Sequence, residues 1–528
     1  MPGGFFISAS NTKAILEHRD NSHYLPLSLE LKIHKVMKKA LYGFLIGIFL
    51  IAFLVTALFA IQFNAHVTIN VDQTMAVMPL EGIGACAAVY EGNLADPASA
   101  ALAVPQLKAA GIGALRFPGG SYADIYNWQT AAPMNGCIGW MPSQNNFTNF
   151  MNQLVIPSGA EAIITCNYGS NTNGTNAALD SGGDPNFAAA WVAFANVTNH
   201  WGIKYWEIGN EIGGNGWSNY FGAKRGWELD MHRDKSPMAY GSNVVLFARA
   251  MKAVDPTIKI GVGISQPGVE HDTNASYPYN QCVLTNCAGA IDFVIIHWYP
   301  GSTPARTLAA PGQISSIVQS TRVELTNYLG AARAGRVDIA ITETSAGTTN
   351  NTGVVASLFA ADDYLSWIEN GIMNVGYQEY HNDILLTDNQ HPGQAYYGAQ
   401  MAHLLANVGD ILLKAASDRG KLRVHAALRR DGKVGIMLIN EDHNFSKNVH
   451  VTINGTNLAA SGVRYQFGLA NFVGNDPAPS HPVASNSVSG LGNSFSVKVP
   501  AYTMVDLLIP ILTDAPSETS KTNSFHSK

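Results

Sequence analysis

Residues 240–264 read YGSNVVLFARAMKAVDPTIKIGVGI: a stretch of helical length, Tyr240–Val254, followed by a short apolar run, Ile258–Ile264. Working outward in both directions, the same alternation recurs. Eight short apolar runs stand in line: Ile83–Val89, Ala114–Phe117, Ala162–Asn167, Tyr205–Gly209, Ile258–Ile264, Phe293–Trp298, Asp338–Thr342 and Asn374–Gln378. Ala98–Ala110, Phe187–Trp201, Ile314–Ala332 and Gly353–Glu369 are further helix-like stretches between them. Strand alternating with helix implies parallel strands joined by right-handed crossovers. Eight such units across residues 81–405 predict a (β/α)8 TIM barrel, an α/β fold. A doubly wound open sheet would alternate in the same way, but no glycine-rich dinucleotide fingerprint follows any of the runs.

From about Asp410 the pattern changes to short strands with turns: Leu422–Leu428, Val434–Ile439, Val449–Ile453, Val463–Phe467, Phe495–Val499 and Met504–Leu508. Asp431-Gly432 is a hairpin signal between two of them. Residues 406–512 therefore read as a C-terminal antiparallel β-sandwich. The early alternating run Val67–Val71, within residues 66–80, is expected to add a strand to it. Residues 513–528 are polar and expected to be disordered.

Composition narrows the class. The chain is 47% hydrophobic and only 13% charged, with a net charge of -6, against about 25% charged in an average globular protein. Extended disorder is excluded, and 32 basic against 38 acidic residues leave no electrostatic footprint for nucleic acid. Ala40–Ile61 is an uncharged apolar run of about 22 residues, enough to span a bilayer. Lys32, Lys35, Lys38 and Lys39 precede it, and no Lys or Arg follows until Lys108. The positive-inside rule then predicts a cytoplasmic tail at 1–39, a transmembrane helix or signal anchor at 40–62, and an exported remainder. That remainder is either retained on the anchor or released after cleavage near Val55-Thr56-Ala57. Of the five cysteines, Cys282 and Cys287 are expected to bracket a short loop and are candidates for a disulfide in an oxidising compartment. No Cys/His spacing suggests a metal site, and no cofactor is implied.

In a barrel the reactive groups gather at the carboxyl ends of the strands. Run four ends Trp206-Glu207-Ile208-Gly209-Asn210-Glu211, and run seven ends Ile341-Thr342-Glu343. Run two ends Arg116-Phe117-Pro118-Gly119-Gly120, and run six ends His297-Trp298-Tyr299. Two acids at the tips of opposite strands, with a cation and a phenol nearby, suit glycoside hydrolysis with retention of configuration.

These motifs resemble the retaining glycosidases that carry Asn-Glu on strand four and Glu on strand seven of a TIM barrel. Leu-Arg-Phe-Pro-Gly-Gly after strand two and the trailing sandwich are most similar to the α-L-arabinofuranosidases. The resemblance runs from about His66 to Pro510. It implies Glu211 as acid/base, with its carboxyl raised by a neighbouring carboxylate, and Glu343 as nucleophile, kept ionised by Arg116 and Tyr299. Asn210 would hold the sugar 2-hydroxyl, His297 would position Glu211 or substrate, and Trp128 and Trp298 would offer apolar faces to a sugar ring. Glu91 and Asn167 complete the expected substrate-binding set. Glu207 lies deeper along its strand and reads as a structural ion pair, while Asp124, Glu379 and His381 are further candidates near the rim.

The expected function is thus a retaining glycoside hydrolase acting on plant-type poly- or oligosaccharides, with α-L-arabinofuranoside as the leading substrate. Runs one and eight depart from the arabinofuranosidase pattern, so β-xyloside, β-glucuronide and endoglucanase activities stay open on the same fold. A sugar-binding surface protein without turnover is the competing class.

Overall fold

A computed structural model gives the fold. It describes residues 27–528 except 172–179, 216–225, 270–277, 302, 347–352, 383, 388, 473–478 and 513–528. The side chains of 27–31, 33 and 52–63 also lie outside the description. The chain divides into two units, Met1–Gln62 and Phe63–Lys528.

In the first unit a helix begins at Leu27 and runs to Phe63. Residues 34–51 are exposed except Gly47, which is half-buried. Among the described residues no helix is long and apolar enough to cross a membrane. The span expected at 40–62 is therefore not supported by the described part, and its second half, with most of the expected tail at 1–39, lies outside the described residues.

The second unit opens with strand β1 (Asn64–Val77) and then builds a closed barrel. Its strands are β2 (Ile83–Cys86), β3 (Ala114–Phe117), β4 (Glu161–Cys166), β5 (Tyr205–Ile208), β6 (Lys259–Gly263), β7 (Phe293–Trp298), β8 (Asp338–Thr344) and β9 (Asn374–Tyr377). All neighbours are parallel and follow chain order, and β9 closes on β2 with Val375 opposite Ile83. A helix follows each strand, as a right-handed βα repeat requires. Several begin on side-chain caps: Asp96 accepts from the amides of Ala98 and Ser99, and Ser236 from that of Ala239. The helix expected to reach Ala332 stops at Leu329, because Gly330 turns the chain at φ 77°.

After the barrel come β10 (Ile411–Ser417), β11 (Leu422–Leu428), β12 (Lys433–Asn440), β13 (Lys447–Asn454), β14 (Ser461–Gly468), β15 (Ala484–Ser489), β16 (Ser494–Val499) and β17 (Thr503–Pro510). They form one nine-stranded sheet in the order β15-β14-β17-β12-β11-β10-β1-β13-β16. Buried Val434, Ile436 and Leu507 share one cluster with Val67, Val449 and Phe495 from the other end of that order, so the sheet folds over into two layers. The expectation of a wholly antiparallel sandwich needs correction. β1 pairs antiparallel with β10 but parallel with β13, Asn64 to Asn70 lying opposite Asn448 to Asn454. Such a pair cannot be joined by a short turn, and here the entire barrel intervenes.

Cys282 and Cys287 also differ from expectation. Both lie in the helix Tyr279–Cys287 rather than flanking a loop, and neither is in a disulfide. Five residues of helix rise about 7.5 Å, beyond the about 7 Å that a disulfide spans between Cα atoms.

Candidate active site

The barrel interior is layered. Ala114, Ile163, Tyr205, Phe293, Ile295 and Ala340 make an apolar floor. Strand side chains alternate, so two residues further on the same direction falls to Arg116, Thr165, Glu207 and His297. β8 adds an irregularity: Ala340 lies opposite Ile295 and Glu343 opposite His297, so three residues of β8 face two of β7. The extra residue re-aims Glu343 into the polar layer.

Glu211 stands just past β5 on a tight turn. Gly209 has φ +73°, where its Cα approaches Ile212 and Tyr168 too closely for a Cβ, and Glu211 itself adopts φ 42°. Asp124 fixes this turn by accepting the Asn210 amide at 2.9 Å and the amides of Tyr168 and Gly169 at 3.0 Å.

His297 joins the two acids. Its Nδ1 is 2.8 Å from Glu211 Oε1 and 3.4 Å from Glu343 Oε2, while Nε2 meets Thr342 Oγ1 at 3.2 Å. One carboxyl oxygen of each acid and a nitrogen of His297 all lie within 4.8 Å of one another. These are also the metal-type donors that come together among the described residues, though hydrogen bonds already join them. Tyr299 donates to Glu343 Oε2 at 2.6 Å. Trp227 donates its indole N–H to Glu211 Oε2 at 2.6 Å. Each Glu211 oxygen thus has its own partner.

Arg116 is the buried hub. It donates to Glu207 at 2.7 Å, Glu343 at 2.7 Å and Asn210 Oδ1 at 2.8 Å. Glu207 also accepts from Thr165, so it is the structural ion-pair partner that its depth on the strand suggested. Asn210 Nδ2 donates to Glu228, which accepts from Ser121 as well. Consecutive residues Trp227 and Glu228 therefore clasp the consecutive pair Asn210 and Glu211.

The electrostatics follow from these contacts. Burial pushes the Glu211 carboxyl up, but donation from His297 and Trp227, with the Arg116 charge, outweighs it and holds the carboxyl below its ordinary value. The expected raised Glu211 is thus reversed in the free protein. Burial would lower His297, yet Glu343 and Glu211 together lift it above its ordinary value. The Glu211–His297 pair accordingly keeps its proton on the imidazole. Burial and the Glu343 charge both push Tyr299 up, so it stays a donor. Burial raises the Glu228 carboxyl well above its ordinary value, and burial also raises the Asp124 carboxyl, to about 7.

No family model matches the chain. Over 258 residues it is 25% identical to a probable α-L-arabinofuranosidase C of Aspergillus fumigatus, covering 42% of this chain and 44% of that one. An intracellular exo-α-(1->5)-L-arabinofuranosidase of Bifidobacterium longum is 26% identical over 276 residues, 47% of this chain and 45% of that protein. The chain resembles the α-L-arabinofuranosidases. It spans less than half the length of these curated relatives. The fold is shared more widely. An α-L-arabinofuranosidase from Thermotoga maritima in complex with arabinose aligns with a TM-score of 0.66 at 16% identity, covering 85% of this chain and 100% of that one. A family 44 xyloglucanase from Paenibacillus polymyxa aligns at 0.62 and 12% identity, covering 85% of this chain and 100% of its own.

At the mouth of the barrel the structure gathers Glu211, Glu343, Arg116, Asn210, His297 and Tyr299. Four other expected residues fall elsewhere. Trp298 points away from His297, out of the barrel, where it packs on Phe359 and Trp367 of the helix Gly353–Glu369. Alternation along β7 makes that unavoidable. Trp128 stacks on Trp191 in an aromatic group with Phe187 and Phe194, and its indole donates to the Phe187 carbonyl. The Asn167 amide ties the loops after β3 and β4 together through Tyr126 and Ser170. Glu91 is buried against His381, 3.8 Å from its ring. Trp227 and Glu228 were not anticipated, since no spacing rule links them to Asn210 and Glu211. Glu379 holds a place at the rim, accepting from Tyr90 at 2.9 Å.

Proposed function

We propose that the chain is a retaining glycoside hydrolase that removes α-L-arabinofuranosyl units from plant-type polysaccharides or oligosaccharides. The observation that carries this reading is the approach of Glu211 and Glu343, with oxygens within 4.8 Å across the mouth of the barrel. Retaining enzymes need about 5–5.5 Å between the two carboxyl groups, whereas inverting ones need about 6.5–9.5 Å. The names of the sequence relatives, with several of the fold neighbours, support arabinofuranoside as the substrate.

In the first step a Glu343 oxygen attacks the anomeric carbon. Arg116 and Tyr299 align the carboxylate and offset its charge. The glycosidic bond breaks as its oxygen takes a proton from Glu211, which draws on the proton held by His297. In the second step Glu211 removes a proton from water, water oxygen bonds to the anomeric carbon, and Glu343 is released. Asn210 is held by Arg116 and Glu228 on opposite ends of its amide, a posture that suits it to the 2-hydroxyl of the glycone.

A second reading, hydrolysis of β-linked xylan or glucan, is favoured by neighbours on the same fold that include a bifunctional glucanase-xylanase. We also propose that residues 40–62 tether an exported catalytic unit, a reading supported by the run of apolar residues behind Lys32, Lys35, Lys38 and Lys39. Protease added to intact cells should then degrade the unit from outside.

Aryl α-L-arabinofuranoside and aryl β-D-xyloside, assayed with the full-length chain, test the main reading. Release of the aryl group with the first-formed sugar in its original anomeric configuration is expected. Glu343→Ala should abolish it. Equal rates in the wild type and Glu343→Ala would overturn the mechanism.

A further inference from the structure

One carboxylate at the rim has no part in the double displacement. Glu379 lies two residues beyond β9, whose Tyr377 is opposite Thr344, the neighbour of Glu343. It is only partly buried, and its oxygens accept from Tyr90 at 2.9 Å, Gln378 at 3.3 Å and Asn382. Tyr90 comes from the loop after β2, and its ring rests on Tyr122 at 4.9 Å. The adjacent Gln378 Oε1 is buried and accepts no hydrogen bond among the described residues. Two tyrosines, a carboxylate and a free amide oxygen thus wall one corner beside Glu343. The opposite side of the mouth belongs to Glu211, which must face the leaving oxygen. The glycone therefore has to rest toward the Glu379 corner.

We infer that Glu379, buttressed by Tyr90, is a specificity-determining residue that accepts a hydrogen bond from one hydroxyl of the glycone and excludes acidic sugars; the inference rests on the glycosidase reading above. A carboxylate offers about four acceptor sites, and three are in use here, so one is left for a sugar hydroxyl. The exclusion follows from charge. Arg116 and His297, the cations hydrogen-bonded into the cluster, are already engaged by Glu207, Glu343 and Glu211. A uronate carboxylate would meet Glu343 and Glu379 with no unengaged cation of the cluster among the described residues to receive it, and repulsive elements of this kind carry specificity. The electrostatics agree: burial raises the Glu379 carboxyl, and the Glu343 charge adds to it. The glycone is accordingly a neutral sugar, which removes β-glucuronide from the open substrates.

The test uses the full-length chain on aryl α-L-arabinofuranoside, β-D-xyloside, β-D-glucoside and β-D-glucuronide, with arabinan, xylan and glucan beside them. Wild type should hydrolyse a neutral substrate at least about 1,000-fold faster than the glucuronide. Glu379→Gln should lower kcat/KM on that substrate by about 10–100-fold, the size of a hydrogen bond to a charged group. It should also narrow the margin over the glucuronide. A deoxy analogue lacking the contacted hydroxyl should not distinguish Glu379→Gln from wild type, a pattern that a merely structural role would not produce. Tyr90→Phe, which keeps the ring, should give a smaller loss in the same direction and serves if Glu379→Gln fails to fold. Preference for the glucuronide, or an unchanged neutral-to-acidic ratio in both variants, overturns the inference. If that happens while Glu343→Ala is inactive, the glycosidase reading stands. If Glu343→Ala matches wild type, or wild type is silent on every substrate, the reading itself falls and the inference falls with it.

Discussion

Trp227 and His297 grip opposite oxygens of the Glu211 carboxyl, and the two grips differ in kind. Imidazole can give or take a proton; an indole N–H only donates. While Trp227 donates to Oε2, it favours the carboxylate and restrains protonation of Glu211 in the proposed first step. Replacing the indole should lift that restraint. Trp227→Phe is expected to raise the Glu211 carboxyl and move the alkaline limb of the kcat/KM profile up by about one pH unit, measured on an aryl glycoside. Arg116 tests the opposite extreme, since two buried carboxylates depend on it. Arg116→Ala should cost about 3–5 kcal/mol of stability, visible as a lowered Tm, and abolish turnover. The sequence made Glu211, Glu343 and Arg116 legible because strand tips of a barrel are functional by position. Trp227 was not legible, because it reaches Glu211 from a loop whose path no local pattern encodes. Trp298 misled for a different reason: neighbouring residues on a strand face opposite ways, so the residue after His297 had to leave the interior.

Elements locate these side chains through their irregularities as much as through their regularity. Counting alternately from inward Ala340 gives Thr342 the inward direction, and Glu343 joins it only because β8 carries one residue more than its neighbour requires. The eight runs were readable from apolarity alone, but an extra residue within a strand leaves no mark in composition. The parallel β1–β13 pair was equally hidden, since strand direction within a sheet depends on the whole topology. The turn after β5 is a second irregularity. Gly209→Ala places a Cβ 2.7 Å from Ile212 Cγ1 at a left-handed φ. It should cost about 1–2 kcal/mol for the backbone conformation alone. Displacing Asn210 and Glu211 by even about 1 Å should lower kcat by about 100-fold, with chemical denaturation and steady-state kinetics as the two readouts.

At the scale of the whole second unit, the barrel and the sheet are fastened by charge as well as by apolar contact. His425 of β11 sits between Glu369 at 2.8 Å and Asp362 at 3.0 Å, both on the barrel helix Gly353–Glu369. Arg423 pairs with Asp362 at 2.9 Å, and buried Asp506 lies near. Burial would lower His425, but Glu369 and Asp362 lift it to about 9. A raised folded value means that the stabilisation is complete below the unfolded value of about 6.5 and fades as pH climbs toward 9. Stability should fall across that window by on the order of 3 kcal/mol. In His425→Gln, whose uncharged amide does not titrate, the pH dependence of Tm should flatten there. The β1 strand adds a consequence in time. It leaves the ribosome before the barrel, yet the two strands that flank it are β10 and β13, beginning at Ile411 and Lys447. At about 5–20 residues per second, its backbone donors and acceptors wait roughly 20–70 s for partners. A nascent chain arrested after the barrel should therefore display an unclaimed strand, and amide exchange on β1 should slow in two steps, as Ser417 and then Asn454 emerge.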